Sequence, residues 1–129
     1  MKDKEMALSK AEQKIMRFIW KKDGPVTVAE IIDHFRQAYG KEYARQTINT
    51  FCKKLVEKGF LLQEDGLSYH RKGYTSRISE EEYARHVLCK YKDLYFGGST
   101  ADLIVSLLDT KNITEEERRK IRNRIDRLE

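Results

Sequence analysis

The side chains best suited to chemistry lie in "ARQTINTFCKKLVEKGFL", residues 44–61. Ile48, Phe51, Cys52 and Leu55 recur at the spacing of one helix face, which turns Gln46, Asn49, Thr50, Lys53 and Lys54 the other way. Gln46 and Asn49 can each offer adenine a donor and an acceptor together. Thr50 can hydrogen-bond a base or pack its methyl on thymine, and Lys53 and Lys54 can reach guanine or phosphate. Arg45, near the helix start, suits the sugar-phosphate backbone. A polar outer face is the default for any surface helix, so its setting decides what it means. Here the face is rich in amides and hydroxyls rather than alternating Glu and Lys, and a segment carrying His70, Arg71, Lys72 and Arg77 follows it. Arg71 and Lys72 are phosphate candidates, while the Glu57 carboxylate opposes extending the contact to the helix end.

Other chemistry finds little support. His34, His70 and His86 are scattered, no serine lies in a nucleophile-elbow sequence, and no Gly-rich loop resembles a phosphate cradle. His86 and Cys89 stand one helical turn apart and could share a metal, but two further ligands would have to come from elsewhere. Cys52 and Cys89 read as reduced core or near-core thiols. The "EEE" runs at 80–82 and 115–117 suit the positive end of a helix dipole. The chain therefore reads as a non-enzyme that needs no metal or cofactor.

The elements that position the polar face can be read from their ends. Ser9 with Glu12 and Thr27 with Glu30 are capping boxes, each opening an amphipathic helix. The first carries Ala11, Ile15, Phe18 and Ile19 and ends near "KKDGP", residues 21–25. The second carries Val28, Ile31, Ile32 and Phe35 and ends by Gly40. Residues 44–58 make the third helix. "FLLQEDGLSYHRKGYTSRIS", residues 60–79, is strand-forming and contains Asp65-Gly66 and Lys72-Gly73, either of which could turn a hairpin. A bend between about Asp65 and Ser68 leaves partners of usable length. Three short helices and a hairpin define a winged helix-turn-helix, whose third helix fits a DNA major groove.

From Ser79 the pattern is helical again, with Tyr83, Val87, Tyr91 and Leu94 on one face up to the break at "FGGS", residues 96–99. Ser99 or Thr100 caps a short helix that is apolar on most sides at Leu103, Ile104, Val105, Leu107 and Leu108. Thr114 and Glu117 form a further capping box before Ile121, Ile125 and Leu128. These stripes have little sheet to bury against, and a second copy of the chain would cover them.

At 129 residues there is room for one ordinary domain, or a small domain plus an extension. The net charge of +5 is uneven: residues 1–78 hold 16 Lys/Arg against 10 Asp/Glu, and residues 79–129 hold 10 against 11. A basic excess collected in one compact unit suits a polyanion, first of all nucleic acid. No apolar run is long enough to span a bilayer and residues 1–9 lack a signal-peptide core, so a cytoplasmic protein without membrane insertion is expected.

Four stretches together resemble the penicillinase-repressor family: "LSKAEQKIMRFIWKKDGPVTVAEI" (8–31), "QTINTFCKKLVEKGFL" (46–61), "ISEEEY" (78–83) and "FGGSTADLIVSLL" (96–108). The resemblance implies a mainly α protein with a small β-hairpin, built as a winged-helix DNA-binding domain over about 7–78 and a helical dimerisation region over 79–129. It implies repression of transcription by a homodimer on dyad operators of double-stranded DNA, among them operators of β-lactam-response genes. It places Gln46, Thr47 and Thr50 at or near bases and Lys54 at the backbone or a base. It also implies induction by a membrane sensor-protease system that leads to a cut in the short helix. The matching bond here is Ser106-Leu107, where the family's usual Asn-Phe is absent. Many members open the third helix with Ser-Pro-Lys, where this chain has Ala44-Arg45-Gln46, and no cysteine follows Cys89 to make the copper-binding pairs of some relatives.

The expectation is a dimeric, sequence-specific repressor. Its dimer contacts would fall at Tyr83, Val87, Tyr91, Leu94, Leu103, Ile104, Leu107, Leu108, Ile121 and Ile125. The competing reading is a winged-helix adaptor whose third helix meets a protein instead of DNA.

Overall fold

The computed structural model describes residues 7–68, 71–110 and 112–128; the side chains of 65–68 and 71–72 lie outside that description. The first helix, α1 (Lys10–Lys21), begins where expected. Ser9 Oγ accepts from the Glu12 amide and the Glu12 carboxylate accepts from the Ser9 amide, closing the capping box. Strand β1 (Val26–Thr27) leads into α2 (Val28–Tyr39), capped reciprocally by Thr27 and Glu30 and stopped at Gly40. Gly40 sits at φ 62°, a left-handed position that glycine adopts without steric cost, and its amide donates to Arg36 O while that of Lys41 donates to Phe35 O. The third helix is α3 (Arg45–Glu57), followed by Gly59 at φ 89°.

Strands β2 (Leu61–Ser68) and β3 (Arg71–Ser76) pair antiparallel, and β1 adds to the far edge of β3 in the order β1-β3-β2. β1 was not anticipated: a two-residue strand carries no periodicity of its own and exists because β3 offers it a partner, with Val26 opposite Tyr74. The bend also differs from expectation. The register runs evenly from Leu61 opposite Ser76 to Glu64 opposite Gly73, then slips before Ser68 meets Arg71. Residues 65–67 face residue 72 alone, so Asp65-Gly66 is taken up by a bulge inside β2 and the chain reverses beyond Ser68. Lys72-Gly73 lies within β3, the central strand.

The core is built from the predicted stripes: Ile15, Met16 and Ile19 of α1, Val28, Ile31 and Phe35 of α2, Ile48, Cys52 and Leu55 of α3, and Phe60, Leu61 and Tyr74 from the sheet. Each of the Ile, Val, Leu, Met and Phe side chains among them contributes roughly 1.5–3 kcal/mol on burial. The turn between α2 and α3 is held by aromatic edges: Tyr43 meets Phe35 at 5.0 Å and Phe51 at 6.1 Å, both nearly perpendicular. The Arg36 guanidinium bridges to Glu42 at 2.8 Å across the same turn.

Helix α4 (Glu80–Tyr95) begins with a capping box of Ser79 and Glu82, α5 (Thr100–Thr110) is capped by Ser99, and α6 (Glu115–Asp126) by Thr114 with Glu117. The chain divides into two compact units, Met1–Val87 and Leu88–Glu129, so the division falls inside α4. Two residues expected at a dimer interface are already packed in the first unit. Tyr83 is buried against Phe60 at 5.6 Å and Trp20 at 5.7 Å, and Val87 lies against the same core. The Trp20 indole N–H donates to Ile78 O (2.9 Å) and Ser76 Oγ (3.0 Å), anchoring the segment that leads into α4. Cys89, expected near a core, is exposed, because the face of α4 that carries it turns away from the packing of Tyr83 and Val87. In the second unit neither α5 nor α6 buries any residue.

Candidate nucleic-acid interface

The inner face of α3 is fully committed: Ile48, Cys52 and Leu55 are all at zero exposure. Burial pushes the Cys52 thiol up to about 12, so it is an inert packing group. With that face fixed, the helical period turns Gln46, Thr47, Asn49, Thr50, Lys53 and Lys54 away from it, while Arg45 stands at the first residue of the helix, ahead of the buried stripe; all seven are exposed. Arg45, Gln46, Asn49, Thr50 and Lys53 line one shallow open depression on the surface of α3. Thr47 and Lys54 stand on its other flank, three and four residues from Thr50.

Local chemistry sharpens two of these positions. The Thr50 hydroxyl donates to Gln46 O one turn back at 2.9 Å, so its proton is spent on the helix and it presents a methyl group and an acceptor lone pair outward. A threonine in that state suits the thymine methyl or a donor on a base edge. Ala44 supplies no side-chain cap, so the first-turn amides of α3 have no side chain competing for them and are open to an anion.

The far end of α3 is held by a contact that the sequence pattern did not reveal. Lys58, the C-cap, donates to Glu12 Oε1 at 2.7 Å and to Ala7 O at 3.0 Å. Glu12 was legible as a capping partner of Ser9, but nothing local pointed to a lysine 46 residues away. Burial pushes the Glu12 carboxyl up. The Lys58 hydrogen bond, the Ser9 amide and the Lys58 charge outweigh it and hold the group below its ordinary 4.5.

On the hairpin, Arg77 is exposed at the end of β3. The side chains of Arg71 and Lys72, and all of His70, lie outside the described residues. Of the other expected contacts, Tyr91, Leu94, Ile104, Leu107 and Ile125 are exposed, and Leu103, Leu108 and Ile121 are half-buried. Ser106 and Leu107 are exposed within α5. Among the described residues no three His, Cys, Asp or Glu side chains are grouped to hold a metal, and no helix is long and apolar enough to cross a membrane.

Three helices, a wing and an outward third helix bearing amides, hydroxyls and lysines define a winged-helix DNA-binding protein. The chain belongs to the penicillinase repressor family, whose pattern it matches over residues 8–127, and this is a family of DNA-binding transcriptional repressors rather than of enzymes. Among solved structures it is similar to the solution structure of the DNA-binding domain of the repressor BlaI. The two share 28% identity and a TM-score of 0.48, over 59% of this chain and 87% of that one. No curated protein matches the chain.

Proposed function

We propose that this repressor acts as a homodimer on a dyad operator, with α3 of each copy in a major groove and the two grooves about one helical turn, roughly 34–36 Å, apart. The observation that carries the reading is the α3 surface: seven exposed side chains of base- and phosphate-contacting type on one helix of a winged unit in a repressor family. Gln46, Thr47, Asn49 and Thr50 would meet base edges, with Arg45, Lys53, Lys54 and the wing residues Arg71 and Lys72 on phosphates. Repression follows from occupancy, with no chemistry on the DNA.

Dimerisation is supported by the distribution of apolar surface. Nine of the eleven large apolar side chains that stand exposed among the described residues fall between Leu88 and Leu128. A set of that size left in water marks an interaction site. The functional division is residues 7–78 for DNA and 79–129 for the dimer, with Tyr83 and Val87 serving the first unit's core. Control of β-lactam-response genes, and inactivation by a cut at Ser106-Leu107 under a membrane sensor-protease, complete the reading that the family resemblance supports.

The test begins with duplexes selected from random-sequence DNA by the full-length protein. Thr50→Ala removes the outward methyl and the acceptor, and is expected to cost about 1–3 kcal/mol at one base position per half-site while sparing random DNA. Thr50→Val keeps methyl groups and should retain most of a preference for thymine. A uniform loss on all sequences would remove Thr50 as a reader. Failure to select any sequence, or binding insensitive to salt between 50 and 200 mM, would favour the protein adaptor.

A further inference from the structure

On α1 the buried residues Glu12, Ile15, Met16 and Ile19 occupy one face. At about 100° per residue, Lys10, Lys14, Arg17 and Lys21 fall in a row roughly 180° around the helix from that face. Lys10, Arg17 and Lys21 are exposed and Lys14 is half-exposed. The row is about 16 Å long at 1.5 Å per residue. Lys10, Gln13, Lys14 and Arg17 line an open hollow together with Tyr39 of α2, and the Lys14 ammonium lies 4.3 Å from the centre of the Tyr39 ring. None of the four cations has a carboxylate partner among the described residues, although Lys22, Arg36 and Lys58 of the same unit all do. Lys21 adds its charge to burial in holding the His34 imidazole below its ordinary 6.5, a sign that the positive field there is not cancelled.

We infer that this α1 row is a second DNA-contacting surface, distinct from α3, which takes sugar-phosphate backbone without reading bases. Lys, Arg, Gln and Tyr are the side chains that contact phosphates, and here they converge with no carboxylate between them. A 16 Å length of duplex presents about nine phosphates, more than enough for four cations. The row lacks the paired amides and hydroxyls of α3, so it adds affinity and salt dependence and no sequence preference. An acidic protein partner is less well suited, since regularly spaced cations on a straight helix match a regular polyanion. The inference rests on the DNA-binding reading, and its own success or failure shows in a different quantity.

The test uses the full-length protein carrying Lys10→Gln, Lys14→Gln and Arg17→Gln together, a random-sequence 40-base-pair duplex and a duplex selected by the wild-type protein. The slope of log affinity against log salt should become shallower by about 2 to 3 per chain, at roughly 0.9 per lost phosphate contact, and by the same amount on both duplexes. Lys10→Arg with Lys14→Arg should restore the wild-type slope. Circular dichroism and the melting midpoint check that the variant is folded, and Lys120→Gln, Arg124→Gln and Arg127→Gln together provide a control of equal charge loss. A slope unchanged by the α1 substitutions, or changed no more than in the control, overturns the inference. The ratio of affinities for the two duplexes tests α3 separately, because it should not move.

Discussion

Replacing Lys58 by Met removes the ammonium from Glu12 while keeping an unbranched stem of similar length. The Glu12 side chain is 3% exposed and that of Lys58 is 28% exposed, so the carboxylate is left with almost no access to water while the lysine side chain stays partly open. Removing one partner of a buried pair costs about 3–5 kcal/mol. Here the Ser9 amide still donates to Glu12 and the pair is partly open on the lysine side, so roughly 2–3 kcal/mol is expected. For a unit of this size that lowers the melting midpoint by about 10–20 °C. Glu12→Gln keeps an acceptor for Ser9 and leaves Lys58 free to turn into solvent, so it should cost less, about 1 kcal/mol.

The pH dependence gives a second check on the same pair. In the wild type the Glu12 carboxyl titrates below 4.5, so its stabilising contribution is complete above that pH and is lost as pH falls through the lowered value. In Lys58→Met the lysine's hydrogen bond and charge no longer oppose burial, so the carboxyl rises relative to the wild type and acid costs the variant less. Urea unfolding of both proteins from pH 7 down to pH 4 should therefore show the gap between them narrowing with acid. A gap under 0.5 kcal/mol at pH 7, well below the roughly 2–3 expected, or one that stays constant with pH, would refute the reasoning.

Three more outcomes follow from the packing. In the native protein a thiol reagent at pH 8 should modify Cys89 and leave Cys52, whose thiol burial holds at about 12; in urea both should react. Leu107→Asp should convert dimers to monomers in sedimentation and abolish binding to the selected duplex at concentrations where the wild type is bound, with the first unit's melting unaffected. Trp20→Phe keeps an aromatic ring beside Tyr83 and loses the donor to Ile78 O and Ser76 Oγ, and should cost about 1 kcal/mol in chemical denaturation.

Much of the fold was legible because its signals are local. Three capping boxes name the starts of α1, α2 and α6 by the residue pairs that form them. Most of the α3 face follows from the same kind of rule, since burying Ile48, Cys52 and Leu55 leaves a 3.6-residue helix no other way to turn Gln46, Asn49, Thr50, Lys53 and Lys54, whereas Arg45 is placed by the helix start and Thr47 by the family resemblance. What the wing does was less legible: Asp65-Gly66 has the composition of a turn, but pairing along β3 absorbs it as a bulge.

The sequence by itself determined where the helices begin, which face each one buries and which side chains α3 must present, because hydrogen-bond capping and helical period act over three or four residues. Only the tertiary structure decided which distant groups meet. Glu12 finds Lys58 across 46 residues, and β1 forms only where β3 offers its edge. Tyr83 reads as a free apolar stripe until Phe60 and Trp20 come to lie beside it. Such contacts depend on chain segments whose proximity is set by packing the whole core, which no local spacing encodes.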